Sequence, residues 1–330
     1  MITNIVDPSH VGEARRFASD FARKAGGNEA QVGRIAIAAT EMATNIIKHA
    51  AGAGGMIVID RFSDAQGAGV GLLALDKGPG MADVAASLSD GFSTAGSAGT
   101  GLGAISRQAD HFFLYSRSAL GTAISARFVF TRPGVGSPQT DVGVVRDIYP
   151  GEMVCGDDWS FGAGPRGPTL FVVDGSGHGP FAAQAADIAS KIFEDHGAED
   201  CVSLIERVHR GLAPTRGAAV AVARIDMAAQ LVRFVGVGNI AGALMNGIET
   251  RQMVSHNGTA GHVAPRIREF TYPFNGTPCI LMHSDGLTNR WRVADYPGLA
   301  ACHPSLIAGV LFRDFRRGRD DATIAVMRPR

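Results

Sequence analysis

The 330-residue sequence holds only four cysteines, Cys155, Cys201, Cys279 and Cys302, and no two of them form a CxxC pair. That spacing excludes both a disulfide framework and a thiolate zinc site. No stretch reaches the roughly 18 consecutive apolar residues of a membrane-spanning helix. The opening MITNIVDPSH also lacks the basic start and apolar run of a signal peptide, so a cytoplasmic protein with no membrane partner is expected. An excess of one charge is missing too, because Lys+Arg and Asp+Glu balance at 31 each. Nothing in that balance draws the chain toward nucleic acid or an anionic surface. Internal repeats and low-complexity tracts are likewise lacking.

Apolar material is plentiful. Hydrophobic residues make up 45% and charged residues 19%, which excludes a disordered chain. At roughly 150 residues per domain this length suggests two domains. The segment TRPGVGSPQT (131–140) packs two prolines and two glycines between hydrophobic runs and reads as the linker. Ahead of it, Val11, Ala14, Phe17 and Phe21 recur at helical spacing, and a second helical pattern runs from the N-cap candidate Asn28 to about Ala50. The strand-like runs GMIVIDRF and GVGLLALD follow, then a glycine-rich stretch, a short helix, and the strands HFFLYSR and TAISARFVF. The order α-α-β-β-loop-α-β-β predicts a two-layer α/β sandwich. After the linker come DVGVVRDI, TLFVVD, AAVAVARID, LVRFVGVG, CILMHS and ATIAVMR, with helices expected at about 180–196, 198–211 and 301–316. A layered α+β domain with a large β component fits this half.

Two constellations carry chemistry. On the second helix Glu41, Asn45 and His49 recur every four residues and form one polar stripe, with Ile35, Met42 and Ile46 beside it facing the sheet. A carboxylate on such a stripe can accept a proton from an attacking hydroxyl, and an amide oxygen can bind Mg²⁺. The strand ending at Asp76 runs straight into a DxGxG turn, where Gly78 and Gly80 allow close backbone approach. Farther on, Gly96, Gly99, Thr100, Gly101, Leu102 and Gly103 lead into a helix. Backbone N–H groups and a helix N-terminus there suit a phosphate chain.

The second constellation lies in GEMVCGDDWSF, VVDGSGHGP, MHSDGLTNR and GRDDATIAV, each of which sets an aspartate at a strand edge: Asp157, Asp174, Asp285 and Asp320. Carboxylates converging from separate strands repel one another unless cations neutralise them. All-oxygen sites of this kind suit Mg²⁺ or Mn²⁺, and two such ions can activate a water and clamp a phosphoryl group.

The order Glu41…Asn45…His49, DKGPG, GTGLG resembles the GHKL-type ATP-binding fold over roughly residues 5–130, and GFSTAGSAGTGLGAISRQAD is most similar to RsbT-like serine/threonine kinases. The resemblance implies Glu41 as catalytic base, Asn45 as Mg²⁺ ligand, Asp76 on the adenine amino group, and the loop 91–103 as a lid over the phosphates of ATP. It extends the nucleotide site to Gly78, Gly80 and Thr122 and leaves His49 either beside the site or in the core. The four aspartate strings resemble the SpoIIE/RsbX branch of metal-dependent (PPM) phosphatases over roughly residues 141–330, as do SHNGTAGH (255–262) and VGVGNIAG (235–242). That resemblance implies an α-β-β-α layered domain. Asp157 and Asp174 bind a pair of Mn²⁺ or Mg²⁺ ions in it, Gly175 adds its carbonyl, and Asp285 and Asp320 complete the site. The roles of Asp158 and Asp321 stay open, and His178 and His283 read either as acid catalysts or as turn and core residues.

Together the resemblances imply domains at 1–130 and 141–330 and a bifunctional serine/threonine kinase and phosphatase. Its implied substrates are STAS-domain proteins of the anti-anti-sigma type (RsbS- and RsbR-like) in a bacterial partner-switching stress response, and a homodimer is a possible assembly. The alternative is a metal-dependent phosphatase governed by a non-catalytic module that binds ATP or a partner.

Overall fold

The computed structural model describes residues 1–84, 101–134, 136, 138–264 and 266–330. The chain divides into two compact units: residues 1–137 with 296–313, and residues 138–295 with 314–330.

The first unit opens with strand β1 (Ile2–Ile5) and helices α1 (Ser9–Lys24) and α2 (Glu29–His49). The start of α2 is fixed by a capping box. The Asn28 side chain accepts from the Gln31 backbone N–H at 2.9 Å, and the Gln31 side chain accepts from the Asn28 N–H at 2.9 Å. Ile35, Met42 and Ile46 are buried, as the periodicity predicts. On α1 the buried stripe is Ala14, Ala18 and Ala22, while Phe17 is 39% exposed. Small residues let α1 lie close to α2, and the larger Phe17 is turned out of that seam.

Strands β2 (Gly55–Asp64), β3 (Gly67–Asp76), β4 (His111–Ser116) and β5 (Thr122–Thr131) join β1 in an antiparallel sheet of order β1-β2-β3-β5-β4, with the short helix α3 (Gly101–Gln108) before β4. Leu72, Ala74, Ile124, Ala126 and Phe128 pack with the helices. The two-layer expectation therefore holds, with one added strand: four residues of β1 are too few to show an alternation in sequence.

The second unit holds two five-stranded antiparallel sheets. The first, β13-β10-β9-β8-β7, comprises β7 (Asp157–Gly164), β8 (Gly167–Gly175), β9 (Ala218–Asp226), β10 (Leu231–Val237) and β13 (Phe270–Pro273). The second, β12-β11-β14-β15-β6, comprises β6 (Thr140–Asp147), β11 (Ala241–Asn246), β12 (Glu249–Met253), β14 (Cys279–His283) and β15 (Ala322–Pro329). Leu170, Val172, Phe234, Ile280 and Met282 fill the space between the sheets. Helices α4 (Pro180–His196) and α5 (Cys201–Gly211) cover the outer face of the first sheet through Ala185, Ala189, Leu204 and Val208. A buried arginine ties them down: Arg224 on β9 donates to the carbonyls of Gly197 and Glu199, both at 2.6 Å, and to Thr169 Oγ1 at 2.8 Å. These bonds satisfy carbonyls left open where α4 ends.

Three of the four expected layers lie within this unit. The remaining helix, α6 (Pro304–Phe315), groups through residues 296–313 with the first unit. No helix of the described residues is long and apolar enough to cross a membrane.

Candidate functional sites

In the first unit α2 presents Glu41 and Asn45, both partly buried, toward the start of α3. A Cβ placed on Gly101 would lie 2.9 Å from Asn45 Oδ1 and 3.4 Å from Glu41 Oε2, so only glycine lets α3 begin this close to the pair. Asn45 Nδ2 is buried and has no hydrogen-bond partner among the described residues. An orphaned buried amide costs about 1–3 kcal/mol, and its presence beside an acidic side chain marks a place prepared for a ligand. His49, one turn on, is exposed, so the core reading of this residue falls.

Asp76 ends β3 directly opposite Thr122 on β5, which in turn faces Ser116 on β4. Ser116 Oγ and Thr122 Oγ1 are 2.9 Å apart, and Ser116 Oγ accepts from the Met81 N–H at 2.9 Å. The Asp76 carboxylate accepts from the Gly78 N–H at 2.8 Å. Burial pushes this carboxyl above its ordinary range, against the pull of that hydrogen bond and of the Arg313 charge. Gly78 is required by close approach, since a Cβ there would come within 2.7 Å of the His49 carbonyl. Gly80 sits at φ +70°, Gly103 is buried, and Leu102 packs against the core. Gly96, Gly99 and Thr100, with loop 91–100, lie outside the described residues.

The second unit brings its aspartates together at one end of the sandwich. Asp157 opens β7 in register with Asp174 near the end of β8. Asp285 follows β14 and Asp320 precedes β15, and those strands pair through His283 and Ile324. Ser284 links the two sheets: its hydroxyl donates to Asp157 Oδ2 at 2.6 Å and accepts from the Thr323 N–H at 3.0 Å. Burial, then the charges of Asp321 and Asp285, raise the Asp157 carboxyl to about 7 despite the Ser284 bond. Asp174 is raised well above the carboxylate range by burial and by Asp157, Asp285 and Asp320. Asp320 is raised by burial and by Asp285.

The residues present fit divalent cations. Four mutually repelling carboxylates are all hard oxygen donors. The Gly175 N–H donates to the Gly156 carbonyl at 2.9 Å, and the Ala182 backbone closes off any Cβ at Gly175.

The neighbouring acids have separate duties. Asp158 pairs with Arg146 at 2.7 Å and accepts from Ser190 Oγ at 2.6 Å. Asp321 accepts from the backbone N–H groups of Tyr149 at 2.8 Å and Gly156 at 2.9 Å, which spends its oxygens on holding the loop that leads to Asp157. His283 is a core residue: its Nε2 receives the Trp291 indole N–H at 3.1 Å, its Nδ1 lies 2.7 Å from the Ser284 carbonyl, and burial lowers its pKa. His178 is exposed, stacks on Tyr149 with centroids 4.1 Å apart, and contacts Glu152 at 2.7 Å. One residue was missed in the sequence reading. Asn239, within VGVGNIAG, donates from Nδ2 to Asp285 Oδ2 at 2.7 Å. The glycine-flanked asparagine after a strand was the available signal.

Known proteins match the two halves separately. The histidine kinase-like ATPase domain family matches residues 6–128. The serine/threonine-protein kinase RsbT of Bacillus subtilis (strain 168) is 36% identical over 113 residues, 34% of this chain and 84% of RsbT. The phosphoserine phosphatase RsbX of the same organism is 28% identical over 90 residues, 27% of this chain and 45% of RsbX, so the chain spans less than half of that relative. A solved structure from work on the bacterial stressosome, as a modular system adapted to control secondary messenger signalling, is 27% identical with a TM-score of 0.52. It covers 57% of this chain and 98% of its own. Through its N-terminal unit the chain belongs to the RsbT family of histidine kinase-like ATPase domains, joined here to a second unit that is similar to RsbX.

Proposed function

We propose that the chain is a bifunctional switch enzyme that phosphorylates serine or threonine in one unit and removes phosphate from phosphoserine or phosphothreonine in the other. Its proposed targets are STAS-domain proteins of the anti-anti-sigma type in a partner-switching pathway. The observation that carries the phosphatase half is the convergence of Asp157, Asp174, Asp285 and Asp320, whose mutual repulsion divalent cations between them would relieve at neutral pH. Asp157 and Asp174 would hold a pair of Mn²⁺ or Mg²⁺ ions, Gly175 would add its carbonyl, and Asp285 and Asp320 would complete the set. Bound ions supply a nucleophilic water at neutral pH and a clamp on the phosphoryl oxygens. Ser284 orients the Asp157 carboxylate and Asn239 that of Asp285, so the donor set is held before any ion arrives.

In the kinase half Asn45 would hold Mg²⁺·ATP, Asp76 would accept from the adenine amino group, and Glu41 would take the proton from the attacking hydroxyl. Glu41 favours this over a purely binding module. Nucleotide binding needs Asn45, Asp76 and the glycines, whereas an acid beside Asn45 and against Gly101 adds a base where the phosphoryl group would leave. The test is Mn²⁺-dependent dephosphorylation of a phosphorylated STAS protein by the wild type and by Asp174→Asn. Loss of turnover in the variant, with an unchanged circular-dichroism spectrum, is expected. Full activity in the variant or in excess chelator would overturn the phosphatase assignment.

A further inference from the structure

The end of β3 that carries Asp76 is held by a residue that lies far away in sequence. Arg313, near the end of α6, is 6% exposed and donates from Nη1 to the Asp76 carbonyl at 2.6 Å and from Nη2 to the Leu120 carbonyl at 2.8 Å. Those two carbonyls belong to the two turns that flank the Asp76 carboxylate. Asp76 begins the DKGPG turn, and Leu120 lies in the turn that leads to Thr122. The turns are themselves joined, because the Ala119 N–H donates to the Pro79 carbonyl at 2.8 Å. Gly121 makes room for the guanidinium, since a Cβ there would stand 2.7 Å from Arg313 Nη1.

Helix α6 is seated firmly enough to aim that side chain. At Gly309 a Cβ would lie 2.8 Å from Leu73 and 2.9 Å from Leu75, on the face of β3 turned away from α2. His303 stacks on Phe113 with centroids 4.2 Å apart. Ser305, at the opposite end of α6 from Arg313, donates from Oγ to Ser125 Oγ at 3.0 Å and takes no part in aiming the guanidinium.

We infer that Arg313 is a positioning residue of the nucleotide site, which clamps the Asp76 and Leu120 carbonyls so that the Asp76 carboxylate meets the amino group of adenine. The clamp rests on the ATP-site reading and deepens it. A carboxylate can accept only from a donor, so adenine satisfies it, while guanine presents a carbonyl oxygen at that position and is repelled. The guanidinium also adds a favourable charge that opposes the protonation of Asp76 that burial promotes. Arg313 therefore sets base selectivity as well as affinity.

The experiment measures ATP and GTP affinities on the full chain for the wild type, Arg313→Ala, Arg313→Lys and Ser305→Ala. The wild type should prefer ATP. Arg313→Ala should weaken ATP by about 10-fold or more with little change for GTP, so that the preference collapses, and Arg313→Lys, with one nitrogen in place of the two that span the carbonyls, should fall between. Ser305→Ala removes a helix–sheet hydrogen bond away from Asp76 and should keep the wild-type ratio. If Arg313→Ala does not fold, Arg313→Lys against Ser305→Ala decides the matter alone. An unchanged ATP:GTP ratio in the Arg313 variants, or an equal fall in Ser305→Ala, overturns the inference while leaving the ATP site standing. A wild type that binds neither nucleotide refutes the ATP site itself.

Discussion

Gly101 lies against Asn45 so closely that its missing side chain is part of the proposed nucleotide site: a Cβ would stand 2.9 Å from the Asn45 amide oxygen. The first residue of α3 and the middle of α2 are thereby made one feature. Gly101→Ala should push the Asn45 side chain aside and lower Mg²⁺·ATP affinity by about 10-fold or more, since a misplaced ligand loses most of its metal contact. Calorimetric titration with Mg²⁺·ATP checks this, alongside a thermal scan showing that the fold persists.

Glu41 and Asn45 should separate chemistry from binding. Glu41→Ala is expected to retain ATP affinity and lose phosphoryl transfer by about 10²-fold or more, the scale of general-base catalysis. Asn45→Ala should lose Mg²⁺·ATP affinity itself. Equal loss of binding in both variants would show that Glu41 is part of the nucleotide cradle and not a base.

The aspartate cluster gives the metal-free protein a pH signature. An acid whose pKa is raised on folding holds its proton more tightly in the folded chain, so it adds stability below the ordinary carboxylate range that is lost as pH climbs through the raised value. For Asp157 that value is about 7, and Asp174 is raised as well. In excess chelator the Tm of the wild type, taken relative to Asp174→Asn, should fall as pH rises from about 4 to about 8. Each raised group contributes at most about 1.4 kcal/mol per pH unit. Mn²⁺ should restore the Tm at the upper end. A wild-type curve parallel to that of the variant would remove the case for mutual repulsion.

Asn239 gives the proposed phosphatase site its sharpest single-bond test. Asn239→Ala frees the Asp285 carboxylate from its 2.7 Å donor, and removing such a partner of a metal ligand typically weakens metal affinity or activity about 10–100-fold. The Mn²⁺ concentration for half-maximal phosphatase activity should rise accordingly, with activity recovered at high Mn²⁺. Unaltered Mn²⁺ dependence would place Asn239 outside the site.

Much of this was legible from the sequence because it is local. The four-residue spacing of Glu41, Asn45 and His49 on a capped helix requires a shared face, and Asp76, Asp157, Asp174, Asp285 and Asp320 announce themselves as acids beside glycine or at strand ends. The residues that stayed hidden act across long chain separations. Nothing near Arg313 says that it will meet Asp76 and Leu120, and nothing in the adjacent pairs Asp157–Asp158 and Asp320–Asp321 says which member faces the cluster. Strand alternation and the partners Arg146, Tyr149 and Gly156 decide that only once the sheets have formed. Strand β12 was missed for a related reason: Glu249, Thr250, Arg251 and Gln252 are exposed and polar, so no hydrophobic period marks it.

The measurement closest to the central claim uses one STAS-domain protein and labelled ATP. With Asp174→Asn, where the phosphatase cannot erase product, label from the γ-phosphate should accumulate on a serine or threonine of the STAS protein. The doubly substituted Glu41→Ala, Asp174→Asn chain should transfer none. Wild-type enzyme and Mn²⁺ added to the purified phosphoprotein should then release the label as inorganic phosphate. Both steps on one chain are the predicted result. ATP bound without transfer to any cognate STAS partner, together with intact Mn²⁺-dependent release, would contradict the bifunctional account and leave a phosphatase controlled by a nucleotide-binding module.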